Sequence, residues 1–306
     1  MIEILGLLIA GFFVGLYGTL VGIGGGPLIV PLIAMVYHYD TAPLIATSLF
    51  VIFFNTLSGS IAYFRENRVD VVAGTKFGLA AIPGALVSTF AVYQIDLDIF
   101  SFYFGLFLLA LAVYIFFRPA ESDAVMVIPA TAGPVTTGVK TRSNPIRGSR
   151  YSSARATRDM SSAESDPFKE ENLAYRIIED TMGNIYKYKV NEPLGMAVTA
   201  LIGVFSTFLG IGGGLVQVPV MVYLLSFPIH VATATTHYIT AINTGFTLIP
   251  FMVNNDVAYG PAITLSVAAV AGAQVGARIS NKIPGKTLLK LLIPIFLFTG
   301  IKLMFF

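Results

Sequence analysis

The sequence predicts an all-α polytopic membrane protein built as two inverted repeats of about five helical segments each, roughly 8–10 segments in total, with helices broken by glycine near the bilayer midplane. Three observations carry this. First, the chain of 306 residues is 55% hydrophobic and only 12% charged, with a mean hydropathy of +0.77. Asp, Glu, Lys and Arg are absent from 4–39, 41–64, 77–95, 99–117 and 193–255. A spanning helix needs about 20 apolar residues, and a charge at its centre costs about 2.5–3.5 kcal/mol. A soluble core of this size would lack the polar surface to cover it. Second, the string GIGGG occurs at Gly22–Gly26 and again at Gly210–Gly214, each copy inside an uncharged stretch. Third, the basic residues change place between the two halves.

In the first half the apolar segments are 4–21, 27–38, 43–63, 74–94 and 99–117. The opening segment lacks a basic leader and a cleavage site, so it reads as a retained helix. The glycines then break the chain, and Pro27 suits the first turn of a new helix. Twelve helical residues reach roughly 18 Å, too short for a hydrocarbon core of about 30 Å. Segment 27–38 therefore either re-enters the membrane or makes a tilted, broken pass. The third segment carries Thr47, Ser48, Asn55 and Thr56, and the loop after it carries Arg65, Arg68 and Lys76. The fourth ends at the loop 94–98, which has no basic residue.

Residues 118–192 are of another kind. They hold more than half of the 19 basic and 17 acidic residues. The stretch 131–165 is rich in Ser, Thr, Gly, Arg and Ala, and buries too little apolar surface to offset its ordering entropy. It reads as a disordered cytoplasmic tether. Its end, AYRII and IYKYKV around EDTMGN, reads as a short β-hairpin. The expected domains are 1–117 (first membrane repeat), 118–192 (loop) and 193–306 (second membrane repeat).

The second half repeats the first at an offset of 188 residues, the distance from Gly22 to Gly210. Val30 and Pro31 map to Val218 and Pro219, Ala46 and Thr47 to Ala234 and Thr235, Asn55 and Thr56 to Asn243 and Thr244, Asn67 to Asn255, and Gly84 to Gly272. The segments become 194–209, 215–226, 231–252, 259–278 and 287–306. The loop near Asn254–Gly260 now has no Lys or Arg, whereas the next carries Arg278, Lys282 and Lys286. Short-loop charge sets orientation, so the reversed bias argues for inverted repeats with both termini outside and the central loop inside. Inversion needs an odd number of crossings, met by five passes or by three passes and a hairpin. A parallel four-plus-four duplication is the competing arrangement.

Paired broken helices point to the binding site of a secondary transporter. Gly22, Gly24, Gly25 and Gly26, with Gly210, Gly212, Gly213 and Gly214, would offer main-chain amides to an anion without a buried cation. The competing reading is close helix packing, for which Gly11/Gly15 and Gly18/Gly22 have the spacing. A dinucleotide fingerprint fails at Pro27 and Leu215, and no Lys-Ser or Lys-Thr follows the glycines. Ser48 and Asn55 share a helix face, as do Thr236 and Asn243, and Gln217 follows the second glycine string. These side chains could complete an anion site or only bind neighbouring helices. Thr233 and Thr240 read as packing. His237, inside an uncharged helix where the first repeat has Leu49, is the proton-coupling candidate. No carboxylate lies in the spans, which argues against a carboxylate relay or sodium site. With no cysteine and three dispersed histidines, the chain offers no metal or cofactor site.

Together, GIGGGPLIVPL at 22–32, GIGGGLVQVPV at 210–220, the following ATSLF and ATTHY segments and the duplication resemble the TauE/SafE, or sulfite exporter, family of membrane anion transporters. The resemblance covers roughly 5–117 and 194–306, and the long hydrophilic insertion departs from it. It implies a secondary transporter in the cell membrane that moves a small sulfur-containing anion, such as sulfite or a sulfonate, linked to protons. The expected partners are that anion and the lipid bilayer, not nucleic acid, with assembly into a homo-oligomer left open. The alternative is a membrane receptor or assembly subunit acting through the central loop. An enzyme is not expected, since no Ser–His, Asp–Asp or HExxH constellation is present.

Overall fold

The structure, a computed structural model, describes residues 2–37, 39–93, 97–117 and 173–305. The stretch 131–165 lies outside these. The first repeat contains α1 (Ile2–Val21), α2 (Gly26–Val36), α3 (Thr41–Arg65), α4 (Val71–Ala91) and α5 (Leu97–Phe117). Strands β1 (Leu173–Glu179) and β2 (Ile185–Asn191) follow. The second repeat contains α6 (Glu192–Phe208), α7 (Gly214–Pro219) with a π-helical turn at Val220–Leu224, α8 (Ile229–Val253), α9 (Tyr259–Ser280) and α10 (Gly285–Phe305). The protein is an α-helical, polytopic membrane protein. Among the described residues, Ile4–Val21, Thr41–Arg65, Val71–Ala91 and Tyr259–Ser280 are long and apolar enough to cross a bilayer.

The segments left undecided by length turn back. Gly18 lies against Gly25, and Val14 packs on Gly25. Farther along, Leu28, Pro31 and Leu32 share a groove with Ala10, Phe13 and Val14, so α2 descends beside α1. The second repeat does the same: Gly213 lies near Ser206 and Ile202, and Gln217 reaches Thr199. Each repeat is thus a helical hairpin followed by three long helices. The proline inside each short helix acts differently in the two copies. Pro31 sits within an unbroken α2, whereas Pro219 ends α7 and the chain widens into the π turn. Proline removes an amide from the helical ladder, and a π turn is one way to absorb that loss.

The two repeats interlock. α1 packs on α9 as α4 packs on α6, and α3 packs on α9 as α4 packs on α8. α3 meets its own counterpart α8, and α5 meets α10. Exchanging the repeats leaves this pattern unchanged. α3 and α8 cross antiparallel, with Gly59 against His237 and Phe53 against Gly245. Small residues permit the closest approaches. Gly11 and Gly15 lie on the backbone of Leu265 and Ala269, and Gly84 and Gly203 do the same between α4 and α6. Packing is therefore the role of Gly11 and Gly15, as it is for small-residue seams in membranes. The matched Asn67 and Asn255 both adopt left-handed backbone, at φ 54° and 59°, just past the ends of α3 and α8. Asn tolerates that cap conformation.

The strands pair antiparallel, Leu173 with Asn191 through Glu179 with Ile185. Asp180 closes their turn by accepting from the Met182 and Asn184 amides. Tyr186, Tyr188 and Val190 face inward onto Phe77, Met221, Leu225 and Phe227, so the hairpin covers one end of the bundle. Polar contacts fix it there. The Thr181 amide donates to the Glu66 carbonyl, Tyr188 donates to Asp70, and Glu192 pairs with both Lys76 and Arg176. Those two cations hold the Glu192 carboxyl below the usual range, the Lys76 hydrogen bond contributing most. Burial, with Asp180 beside it, pushes the Tyr186 phenol up to about 12.

Candidate functional site

Both glycine strings form tight turns at the centre of the bundle. Gly22, Gly24 and Gly25 have φ of 91°, 70° and 82°, and Gly210, Gly212 and Gly213 have 62°, 77° and 86°. Any other residue would be strained there. The turns face each other. A Cβ on Gly26 would lie 2.2 Å from the Ile211 carbonyl oxygen, and one on Gly214 would lie 2.8 Å from the Ile23 backbone. Both turns rest on the middles of the two crossing helices, Gly24 on Thr56 and Ile52, and Gly212 on Ile52, Thr240 and Thr244.

Symmetry ends at the hydrogen bonds. In the first turn the amides of Gly22, Ile23 and Gly24 all donate to the Gly18 carbonyl, and Asn55 Nδ2 donates to the Gly24 carbonyl at 2.8 Å. In the second, Gly210 and Ile211 donate to Thr207 and Ser206, but among the described hydrogen bonds Gly212 has neither the amide bond nor the asparagine bond of its counterpart Gly24. A small cavity opens instead, with about 10 Å³ of space, lined by Gly212, Gly213, Gln217, Thr199, Thr240 and Asn243 among others. Gln217 and Asn243 are 1% and 3% exposed. Gln217 Nε2 donates to Thr199 Oγ1 at 3.1 Å, while Gln217 Oε1 and Asn243 Oδ1 have no partner among the described residues. A buried acceptor left unpaired costs about 1–3 kcal/mol, so both atoms favour a donor in this cavity.

The other sequence-selected side chains are already engaged. Ser48 donates to the carbonyls of Ile45 and Gly210, and Thr236 donates to Met221 Sδ. Asn55 is committed to the first turn. His237 is fully buried but lies beside Gly59 and edge-on to Tyr63, away from the residues lining the cavity. Its Nε2 is 3.3 Å from Thr19 Oγ1, which in turn lies 3.5 Å from Asn55 Oδ1. His237 thus connects to the first turn through Thr19 and Asn55. Thr199, not singled out by the sequence, and Thr240, read there as packing, both line this cavity. Thr199 had one available signal, since the position 188 residues earlier is Gly11 and a hydroxyl replaces no side chain there.

At the hairpin end, Arg68 is fully buried in the turn between α3 and α4. It donates to Glu66 at 3.0 Å and Asn281 at 2.7 Å, meets His230 Nδ1 at 2.8 Å, and lies over the Tyr63 ring at 5.2 Å. Its counterpart by the offset is Asp256, which accepts from Tyr93 at the opposite end. Each end of the bundle therefore has a cross-repeat latch, one buried and cationic, the other exposed.

A family model described as sulfite exporter TauE/SafE matches residues 7–303. The probable membrane transporter protein YunE of Bacillus subtilis (strain 168) is 26% identical over 306 residues, 98% of this chain and 96% of that protein. A probable membrane transporter protein of Methanocaldococcus jannaschii is 34% identical over 114 residues, 35% of this chain and 43% of that protein. No solved structure matches.

Proposed function

The chain belongs to the TauE/SafE sulfite exporter family, and on that premise we propose that it is a secondary transporter for a small sulfur-containing oxyanion, linked to protons. It is a multi-pass cell-membrane transporter and not an enzyme. The observation that carries the finer reading is the meeting of two unwound glycine turns at the middle of α3 and α8, one of them beside a polar cavity and with the Gly212 amide unbonded among the described hydrogen bonds. Irregular backbone at such depth is tolerated where it lines a cavity, and transporters place their sites at such breaks.

In this reading the anion binds at the second turn, on the amides of Gly212 and Gly213, with Gln217, Thr240 and Asn243 around it. The first turn, braced by Asn55 and Gly18, is the firm wall against which the site closes. The present cavity has room for about one water, so a pyramidal oxyanion enters only when the α6–α7 hairpin shifts. The antiparallel crossing of α3 and α8 supports repeats inverted in the membrane, so that equivalent motions open opposite sides. His237, tied through Thr19 to Asn55, would report protonation to the first turn.

Sulfite flux into proteoliposomes tests the assignment. Gly213 has left-handed backbone, and an added Cβ would meet Ser206 at 3.3 Å. Gly213→Ala is expected to cut the rate at least tenfold, whereas Gly260→Ala, where a Cβ meets nothing within 4 Å, leaves it unchanged. An unaltered rate in Gly213→Ala rejects the site.

A further inference from the structure

We infer that the cavity at the second glycine turn selects the singly protonated form of an oxyanion, so that the cargo itself carries the transported proton. This rests on the transport reading above. Two fully enclosed atoms that line the cavity have no partner among the described residues, and both are acceptors, Gln217 Oε1 and Asn243 Oδ1; the donors Asn243 Nδ2 and Thr240 Oγ1 lie on the same lining, and Gln217 and Asn243 are at least 97% buried. Neither can bind a bare oxyanion oxygen, because two acceptors facing each other repel. An O–H on the solute satisfies one of them, while its remaining oxygens take the Gly212 and Gly213 amides across the same small space. The residues that line the cavity with Gln217 are uncharged: Thr199, Ile202 and Gly203 on α6, Ile239, Thr240 and Asn243 on α8, Ala81 on α4 and the turn glycines, and α2, which also packs on α7, carries no charged residue. No Lys or Arg lies there to balance a dianion, so a monoanion is also the charge state that costs least to bury.

The broken symmetry strengthens the argument. The first repeat has Ile29 where the second has Gln217, and Gly11 where the second has Thr199. There, Asn55 is spent on the Gly24 carbonyl. The acceptor pair therefore exists once, at the turn that has the cavity. A proton travelling on the cargo needs no carboxylate in the spans, and the spans contain none. It also relieves His237 of an obligatory shuttle role, consistent with its place outside the cavity lining.

The test uses the full-length protein, purified, with sulfite and chlorate as probes. Chlorate is a pyramidal monoanion of the same shape that carries no proton. Thermal stabilisation is followed while pH and total sulfite are varied independently. Stabilisation should follow the hydrogen sulfite concentration rather than total sulfite, and chlorate should bind at least about tenfold more weakly at every pH, as expected for a site that requires a solute O–H. Gln217→Ile, which copies Ile29, should bring the two probes to within about threefold. Gly260→Ala, where a Cβ meets nothing within 4 Å, should leave the dependence on hydrogen sulfite in place. Binding that follows the fully deprotonated anion, or chlorate equal to sulfite in the unmodified protein, overturns the inference. That is the outcome a flipped Gln217 amide, with its NH2 toward the cavity, would produce. Should Gln217→Ile fail to fold, the unmodified protein's response to pH and chlorate still decides. No stabilisation by either anion at any pH removes the transport reading for sulfite, and the inference with it.

Discussion

Arg68 shows how much a single side chain can hold. It has no exposed surface and joins the α3–α4 turn to α8 and α9 through Glu66, His230 and Asn281. Burial raises the Glu66 carboxyl from its ordinary value, and the Arg68 charge opposes this. Removing the cation leaves the partly buried Glu66 and Asn281 without this partner. Breaking a buried pair in this way costs about 3–5 kcal/mol. Arg68→Met should therefore lower the thermal midpoint of the protein in detergent markedly, and an unchanged midpoint would show that the cluster is not a structural tie. The glycines were legible from sequence at this scale, because positive φ leaves little choice of residue. The matched Asn67 and Asn255 were visible as a repeat signal, and their left-handed caps now give the reason. What could not be read was the difference between Asn55 and Asn243. The two are the same residue type at the same offset, and only the placed side chains reveal that one is bonded and the other open. Ser48 and Thr236 were picked as cavity donors on helical spacing, but spacing does not show that a hydroxyl is already taken by Gly210 or Met221.

Among the elements, the short helices and the hairpin depart most from what spacing alone could give. Twelve residues were too few for a straight crossing but left a re-entrant hairpin and a tilted pass both open; the direction of the chain is set by the glycine turns and the packing of Gly25 on Val14. The strands were readable as alternation. Their seat on the bundle was not, because it depends on Tyr186 and Tyr188 meeting Phe77 of the first repeat and Phe227 and the π turn of the second. That seat has a pH dependence with a definite sign. The Glu192 carboxyl is depressed below its ordinary 4.5, so its pairing with Lys76 and Arg176 stabilises the docked hairpin above that value and is lost as pH falls through the depressed one. Glu66, raised by burial, works in the opposite sense. Amide hydrogen exchange of β1 and β2 should therefore speed up as pH falls from neutrality to below 4.5, after correction for intrinsic rates. Glu192→Gln should remove most of that change. Equal behaviour of the two proteins would place the control elsewhere.

For the whole molecule, duplication supplies two similar halves, and the proposed function uses their differences. The contact pattern survives exchange of the repeats, yet the first turn is braced and the second is open. A transporter needs one site that can be approached from either side, and in the proposed reading the interlocked halves provide it where their turns meet. The architecture was readable because a constant offset of 188 residues ran through polar and glycine positions that chance would not align. The proposed site was readable only as a pair of equivalent candidates. The most direct measurement uses selenite, the heavier congener of sulfite, bound to crystals of the protein. The account predicts an anomalous selenium peak within hydrogen-bond reach of the Gly212 and Gly213 amides, beside Gln217 and Asn243. A peak at the bundle ends or in the groove under α2, or an empty second turn at concentrations that saturate binding in solution, would contradict it.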